Sequence, residues 1–386
     1  MRHLWVVIPL LAFLVGLSDG VEVSGYFEPQ FGVGVANGEF YQVNTDKLRI
    51  DLKSELSDEV SFGANFDYVI YRGKTKWNIL DYLPRRLTEA ILEEMRTAFQ
   101  FSYEDRDFLD NAYLKLSFRR FDLTVGKQQI SLGTGYAWNP TDVYNVKDLM
   151  DPTYEQPGHN AVRLDIPIST SYGVVLIYTP ESRWSDSGKL MRLKGKASHF
   201  DYSLILIERV WKSTDYMRFA TVEEKRRVFG GDFAGELLGI GVWGEFAYNR
   251  AEEGENFWEG VLGFDYTLDV GTYLMCELYH NSSGKSDHNE YNLNDWMRFL
   301  LGEARTISRD QIYLLGNHPL TDLMGIGCSA IVSLSDGSVA LVPMLSYDVF
   351  EDVELTAFGN LYLGEEGKMF SSRLGNGLLI RARVYF

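Results

Sequence analysis

The sequence predicts an all-β fold: a transmembrane, antiparallel up-and-down β-barrel of about 18 strands, with 16 the next count in line. Three observations predict it. From residue 21 onward the chain repeats one pattern, about ten residues of alternating polarity, then a turn, then about ten more. One face of these segments stays free of charge in strand after strand. No stretch after position 20 reaches the roughly 20 consecutive apolar residues that a membrane helix needs, so a membrane-spanning form of this chain must cross with strands.

The elements follow in order. Met1, Arg2 and His3 precede an apolar run from Leu4 to Leu17, and Gly16, Ser18 and Gly20 offer small residues for cleavage. This reads as a secretory signal peptide over 1–20, followed by a single barrel domain over 21–386. No plug domain is expected between the two, which argues against a TonB-dependent transporter. In the second strand Leu48, Ile50 and Leu52 alternate with Lys47, Arg49, Asp51 and Lys53. In the third, Val60, Phe62, Ala64 and Phe66 alternate with Ser61, Gly63, Asn65 and Asp67. The split recurs at Ala112–Phe118, Val353–Leu361 and Leu378–Phe386. Successive side chains on a strand point to opposite faces, and a charge aimed into mid-bilayer costs about 2–4 kcal/mol, so the charge-free face is the lipid face.

Both termini of a single-chain barrel lie on one side of the membrane, which requires an even number of strands. Splitting the region after residue 308 into strands near 309–316 and 323–334 gives eighteen. Short turns then fall at one end, and long loops over 73–109, 133–159 and 281–308 at the other. Two loops carry helix signals. Pro84 can open a helix with Leu87, Ala90, Ile91 and Met95 on one stripe, and Asn294 can cap one carrying Trp296, Met297, Leu300 and Leu301.

Composition narrows the function. A net charge of −17 excludes nucleic acid as a partner, because phosphate backbones are bound by basic surface. Tyr and Phe at 23 each against 10 Pro suit aromatic girdles at two membrane interfaces. Cys276 and Cys328 fall on lipid faces of strands that are not neighbours, so no disulfide is expected. The mature histidines, His159, His199, His280, His288 and His318, sit in no nucleophile motif, and no Gly-x-Ser-x-Gly pentapeptide occurs. His288 with Asp287 and Glu290 reads as a solvated polar loop. No enzyme activity, cofactor or metal is expected.

The alternation that ends in the carboxyl-terminal Phe386 resembles the assembly signal of Gram-negative outer-membrane barrels. That resemblance implies insertion by the barrel-assembly machinery and residence in outer-membrane lipid. A second stretch, Gly126-Lys127-Gln128-Gln129 running through Gly133 and Gly135 to Trp138-Asn139-Pro140-Thr141-Asp142, resembles poorly characterised porin-like proteins of such membranes. Its glycines and Asn-Pro turn favour an anchor for a loop folded at the barrel mouth over direct solute contact.

The expected function is a porin-like channel for passive diffusion of small hydrophilic solutes or ions, with monomer and homo-oligomer both left open. The alternatives are a barrel enzyme acting at the rim and a plugged ligand-binding receptor. Inward-facing charges are expected to form two walls: Lys47, Arg49, Lys53, Arg381 and Arg383 on the basic side, and Asp232, Glu236, Glu245, Glu259, Asp265 and Glu277 on strands half a turn away.

Overall fold

The computed structural model describes residues 20–89, 91–151, 154–218 and 220–386. The expected signal peptide lies, apart from Gly20, outside the described residues. Eighteen strands form one antiparallel sheet. In chain order they are β1 (Val21–Ala36), β2 (Glu39–Ser57), β3 (Val60–Gly73), β4 (Arg106–Phe118), β5 (Phe121–Gln129) and β6 (Gly158–Pro167). Then follow β7 (Tyr172–Thr179), β8 (Gly188–Ala197), β9 (Phe200–Asp215), β10 (Ala220–Leu237), β11 (Ile240–Ala251) and β12 (Phe257–Thr267). The last six are β13 (Tyr273–Asn281), β14 (Asp310–Pro319), β15 (Met324–Ser333), β16 (Val339–Phe350), β17 (Val353–Tyr362) and β18 (Asn376–Tyr385).

Each strand pairs with its sequence neighbours, and β1 also pairs with β18, which closes the sheet. Phe386 takes part in the seam: its N–H donates to the Gly25 carbonyl at 3.1 Å, and the Gly25 N–H donates to the Phe386 carbonyl at 3.0 Å. Closure satisfies the backbone groups that an open edge would leave bare in hydrocarbon. Tight hairpins keep neighbouring strands in register. At Asn37-Gly38 and Leu238-Gly239 both residues have positive φ (52° and 79°, 56° and 80°), the turn geometry whose twist matches that of the flanking strands.

The alternation of exposure confirms which face is which. In β9, Leu204 and Leu206 are exposed while Ile205 and Ile207 are buried. Inward residues of an empty pipe would be wetted, so their burial shows that part of the lumen is filled. The filling comes from one end of the barrel, where 74–105, 130–157, 282–309 and 363–375 connect strands. Leu80 and Leu83, Trp138, Trp296, Met369 and Phe370, drawn from all four connections, share one apolar cluster with the inward Trp243, Val261, Met275 and Tyr313. A second cluster packs Ile130 and Leu132 against Val175, Ile177, Leu190, Ile205, Ile207 and Val228. Each such side chain contributes about 1.5–3 kcal/mol on full burial, enough to hold the loops on the inner wall.

The helix expectations need correction. Around Pro84, α1 spans only Arg85–Thr88, because Leu92 turns extended and the chain continues as a 3₁₀ segment over Glu93–Phe99. Leu87 and Ile91 pack against the mouth cluster, whereas Met95 is exposed, and Ala90 lies outside the described residues. The second helix, α2 (Leu293–Leu300), is capped by Asn292 in a reciprocal pair with Asp295, not by Asn294. The Asn294 side chain is engaged elsewhere, with the Tyr216 N–H and the Asp215 carboxylate. The connection 363–375 is a long loop beyond the three expected from the sequence.

Candidate functional site: a lumen bridged by one loop

The 130–157 loop is held on one side by two carboxylates of the barrel wall. Glu277, inward on β13, accepts the Tyr136 N–H at 2.6 Å, the Ala137 and Trp138 N–H groups at 2.9 Å, and the Trp243 indole N–H at 2.7 Å. Glu245, inward on β11, accepts the N–H groups of Thr134 at 3.0 Å, Gly135 at 3.2 Å and Thr141 at 2.6 Å, the last joined by the Thr141 hydroxyl at 2.7 Å. Backbone amides that curl around an anion form a nest, and bonds to a charged acceptor are roughly twice as strong as neutral ones. Gly133 makes the approach possible. Its φ is +83°, and a Cβ there would stand 2.2 Å from the Glu245 Oε2.

Local chemistry stiffens the loop between these anchors. The Asn139 amide donates to the Gly135 carbonyl at 2.8 Å. Asp142 accepts from the Tyr144 and Asn145 N–H groups, both at 3.1 Å, and burial pushes its carboxyl above the ordinary range. Arg305, from the 282–309 loop, donates to Glu259 at 3.2 Å and to the Asp142 carbonyl, tying the two loops together. Trp138 stacks on Tyr279 with ring centres 5.0 Å apart, and Pro140 borders a neighbouring cavity of about 480 Å³.

The loop then crosses to the opposite wall. Its far end carries Asp151 and Glu155, which meet the cations of β1, β2 and β18. Glu155 pairs with Lys47 at 2.8 Å and with Arg49 at 3.2 Å, and accepts the Tyr26 hydroxyl at 2.8 Å. Asp151 pairs with Arg381 at 2.9 Å. Burial acts to raise the Glu155 pKa, but Lys47, Tyr26 and Arg49 outweigh it and hold the carboxyl below the ordinary range.

The expected charge walls are therefore altered by their partners. Lys47, Arg49, Arg381 and Arg383 do lie together, yet carboxylates are interleaved among them: Asp67 at 3.5 Å from Lys47, Asp110 at 3.5 Å from Arg49, and Glu28 at 2.5 Å from Arg383. Lys53 is exposed nearer the terminus-bearing end. On the other side Asp232, Glu245 and Glu277 face inward but are buried under their partners, and Glu259, also buried, reaches only the edge of the cavity of about 480 Å³. Asp232 is consumed by Arg192 at 3.2 Å and Ser203 at 2.5 Å, Glu259 by Arg305 and the Tyr279 hydroxyl. Asp265 accepts the Tyr273 hydroxyl at 2.8 Å and borders a cavity, and Glu236 is exposed.

Two further cavities flank the loop inside the barrel. One of about 1100 Å³ opens towards the long loops and is lined by Tyr41, Tyr71, Trp77 and Arg106 of the wall and mouth. The other, about 500 Å³, lies towards the termini beside Trp243, Asp265 and Tyr273. Lys147, Asp148, Leu149 and Asp151 line both, so this stretch of the loop is the partition between them. The Lys147 ammonium donates to the Gly135 and Tyr136 carbonyls at 3.0 and 2.7 Å; burial lowers its pKa, with Glu277, Glu245 and Asp142 acting in opposition. Asp148 is wetted at the partition while the surrounding barrel raises its pKa.

Sequence reasoning missed Lys147, Asp148, Asp151, Glu155 and Arg305. One signal was available. The inward positions flanking Glu277 are Met275 and Tyr279, and an apolar inner wall in a barrel implies that something covers it.

Fold and lumen together define a closed transmembrane barrel with an infolded loop. Among solved structures the chain is similar to OccAB4 of Acinetobacter baumannii, at 10% identity over 96% of this chain and 99% of that one, with a TM-score of 0.58. It is similar also to OccK11 (OpdR) of Pseudomonas aeruginosa, at 12% identity, 96% and 98% coverage and a TM-score of 0.57. The outer membrane protein OprD from the same organism matches at 8% identity, 96% and 95% coverage and a TM-score of 0.57. At these identities the likeness shows the fold. No family model and no curated protein matches the sequence.

Proposed function

We propose that this chain is an outer-membrane channel through which small hydrophilic solutes or ions diffuse passively, with its bore set by the 130–157 loop. The observation that carries the reading is the partition: Lys147, Asp148, Leu149 and Asp151 stand between a mouth-side and a terminus-side cavity of one continuous barrel. Channels select by the charges and diameter of such a narrowing. Both cations and carboxylates face it, so the field there is dipolar and suits polar solutes better than bulky apolar ones.

The long loops belong outside the cell, and both termini of the barrel belong in the periplasm. Phe386, bonded into the seam, is the residue the assembly machinery would read, and outer-membrane lipid contacts the apolar outer face. No catalytic step or cofactor enters this reading, and the oligomeric state stays open. The test is single-channel recording in planar bilayers, joined to liposome swelling with small sugars and amino acids. Stable conductance steps and swelling are expected. Folded, heat-modifiable barrel that gives neither would support a plugged receptor or a rim enzyme instead.

A further inference from the structure

On a chain of net charge −17, one patch of the outer face gathers four cations around a single central carboxylate, Glu208. It lies at the long-loop end of β8 to β11, where the outward row changes from apolar to charged. Met191 on β8, Leu206 on β9 and Phe229 on β10 are exposed towards the membrane. Two residues nearer the loops on the same outward rows stand Lys189, Glu208 and Arg227, with Glu208 in register with both cations. Glu208 takes Arg227 at 2.8 Å, Lys225 at 3.2 Å and Lys189 at 3.5 Å. Arg250 on β11 stands directly opposite Arg227, is exposed, and has no side-chain partner among the described residues. Lys189, Lys225 and Arg227 thus share the Glu208 carboxylate, Arg250 adds a fourth cation, and a further carboxylate close by belongs to Glu252, whose N–H donates to the Lys225 carbonyl at 2.9 Å. The next cation outward, Lys212, is matched by Glu181 at 3.6 Å and Glu223 at 3.9 Å.

Like charges directly opposite across two strands are destabilising unless an anion lies between them. Guanidinium groups pair well with phosphate oxygens, often through two parallel bonds. Directly beneath the cations the wall is concave. A groove of about 560 Å³ has Lys189, Glu208 and Arg227 at its head and Leu164, Leu176 and Met191 along its apolar floor. Trp184 stands at the same rim, stacked on Tyr178 at 5.0 Å with the Lys189 ammonium 4.8 Å above its ring, as in an interfacial aromatic belt.

We infer that this face is a binding site for a phosphorylated lipid of the outer leaflet, its phosphate held by Arg227, Arg250, Lys225 and Lys189 and an acyl chain lying in the groove below. Charge complementarity and the continuity of the groove with the membrane band select a lipid over a free anion. A free phosphate has no use for an apolar floor.

The test uses the full-length barrel in detergent, titrated with bisphosphorylated lipid A and read by native mass spectrometry. Retention of the lipid is expected, with roughly tenfold weaker binding of the fully dephosphorylated lipid and of variants Arg250→Gln and Arg227→Gln, the loss of one charge-assisted contact. Met191→Trp, which fills the groove, should weaken binding without removing charge. Arg85→Gln, at the far mouth, should not. Arg250→Gln removes no side-chain hydrogen bond or ion pair among the described residues, so it serves as the variant that spares the fold. Equal binding by wild type and the Arg250 and Arg227 variants would overturn the site. So would equal binding of phosphorylated and dephosphorylated lipid, or displacement of the lipid by inorganic phosphate alone at matched concentration.

Discussion

Glu277 on β13 receives the backbone N–H of Trp138, 139 residues away in sequence, at 2.9 Å. With three further N–H donors on the same carboxylate, that contact fixes one side of the loop that crosses the lumen. Replacing Glu277 by Gln removes the charge and turns one acceptor into a donor facing donors. Each charge-assisted bond is worth about 1.5–3 kcal/mol, so the loop should lose its anchor while the sheet stays closed. Glu277→Gln and Glu245→Gln are expected to raise unitary conductance and current noise, with unchanged heat-modifiable migration on gels.

Gly133→Ala should reach the same outcome from the other partner. A methyl at a φ of +83° and 2.2 Å from the Glu245 carboxylate displaces either the loop or the acid. Conductance histograms broader than those of wild type are expected, and an unchanged histogram would mean the loop is not held there.

Acid should release the far end of the loop. The Glu155 carboxyl is held below its ordinary pKa by Lys47, Tyr26 and Arg49 against the effect of burial, so its contribution is complete above the ordinary glutamate value of about 4.3 and is lost as pH falls through the lower folded value. The difference in conductance between wild type and Glu155→Gln is therefore expected to stay constant from neutral pH to about 4.3 and to vanish below it. A difference that persists unchanged at lower pH would mean that Glu155 does not hold the loop.

Arg381→Glu with Arg383→Glu reverses two charges that now face Glu28, Asp151 and Glu155. A clear shift of reversal potential towards cations in a salt gradient is expected, together with a looser loop. A conducting variant with unaltered selectivity would remove this wall from the permeation path.

Strand count, closure and the face of each strand were legible because alternation with a period of two leaves a mark at every residue. The terminal run from Leu378 to Phe386 shows the same rule down to the last residue. The loop anchors were harder to read. Glu245 and Glu277 bond to backbone amides, which carry no side-chain signature, and their partners lie more than 100 positions away. Both read from sequence as part of an acidic wall, because a carboxylate on the inward row looks the same whether water or a loop covers it. Asn292 and Asn294 illustrate a shorter-range limit: either can cap a helix, and the contact of Asn294 with Asp215 decided the matter.

The segment around Leu149 lies between the two cavities, where we propose that it sets the bore of the lumen. The direct measurement places a single cysteine at Leu149 in a background with Cys276 and Cys328 replaced by Ser, and adds a bulky charged thiol reagent to one chamber of a planar bilayer at a time. Reaction from either side should cut the conductance in discrete steps, because Leu149 borders both cavities. Complete labelling with no change in current would mean that this segment does not narrow the permeation path.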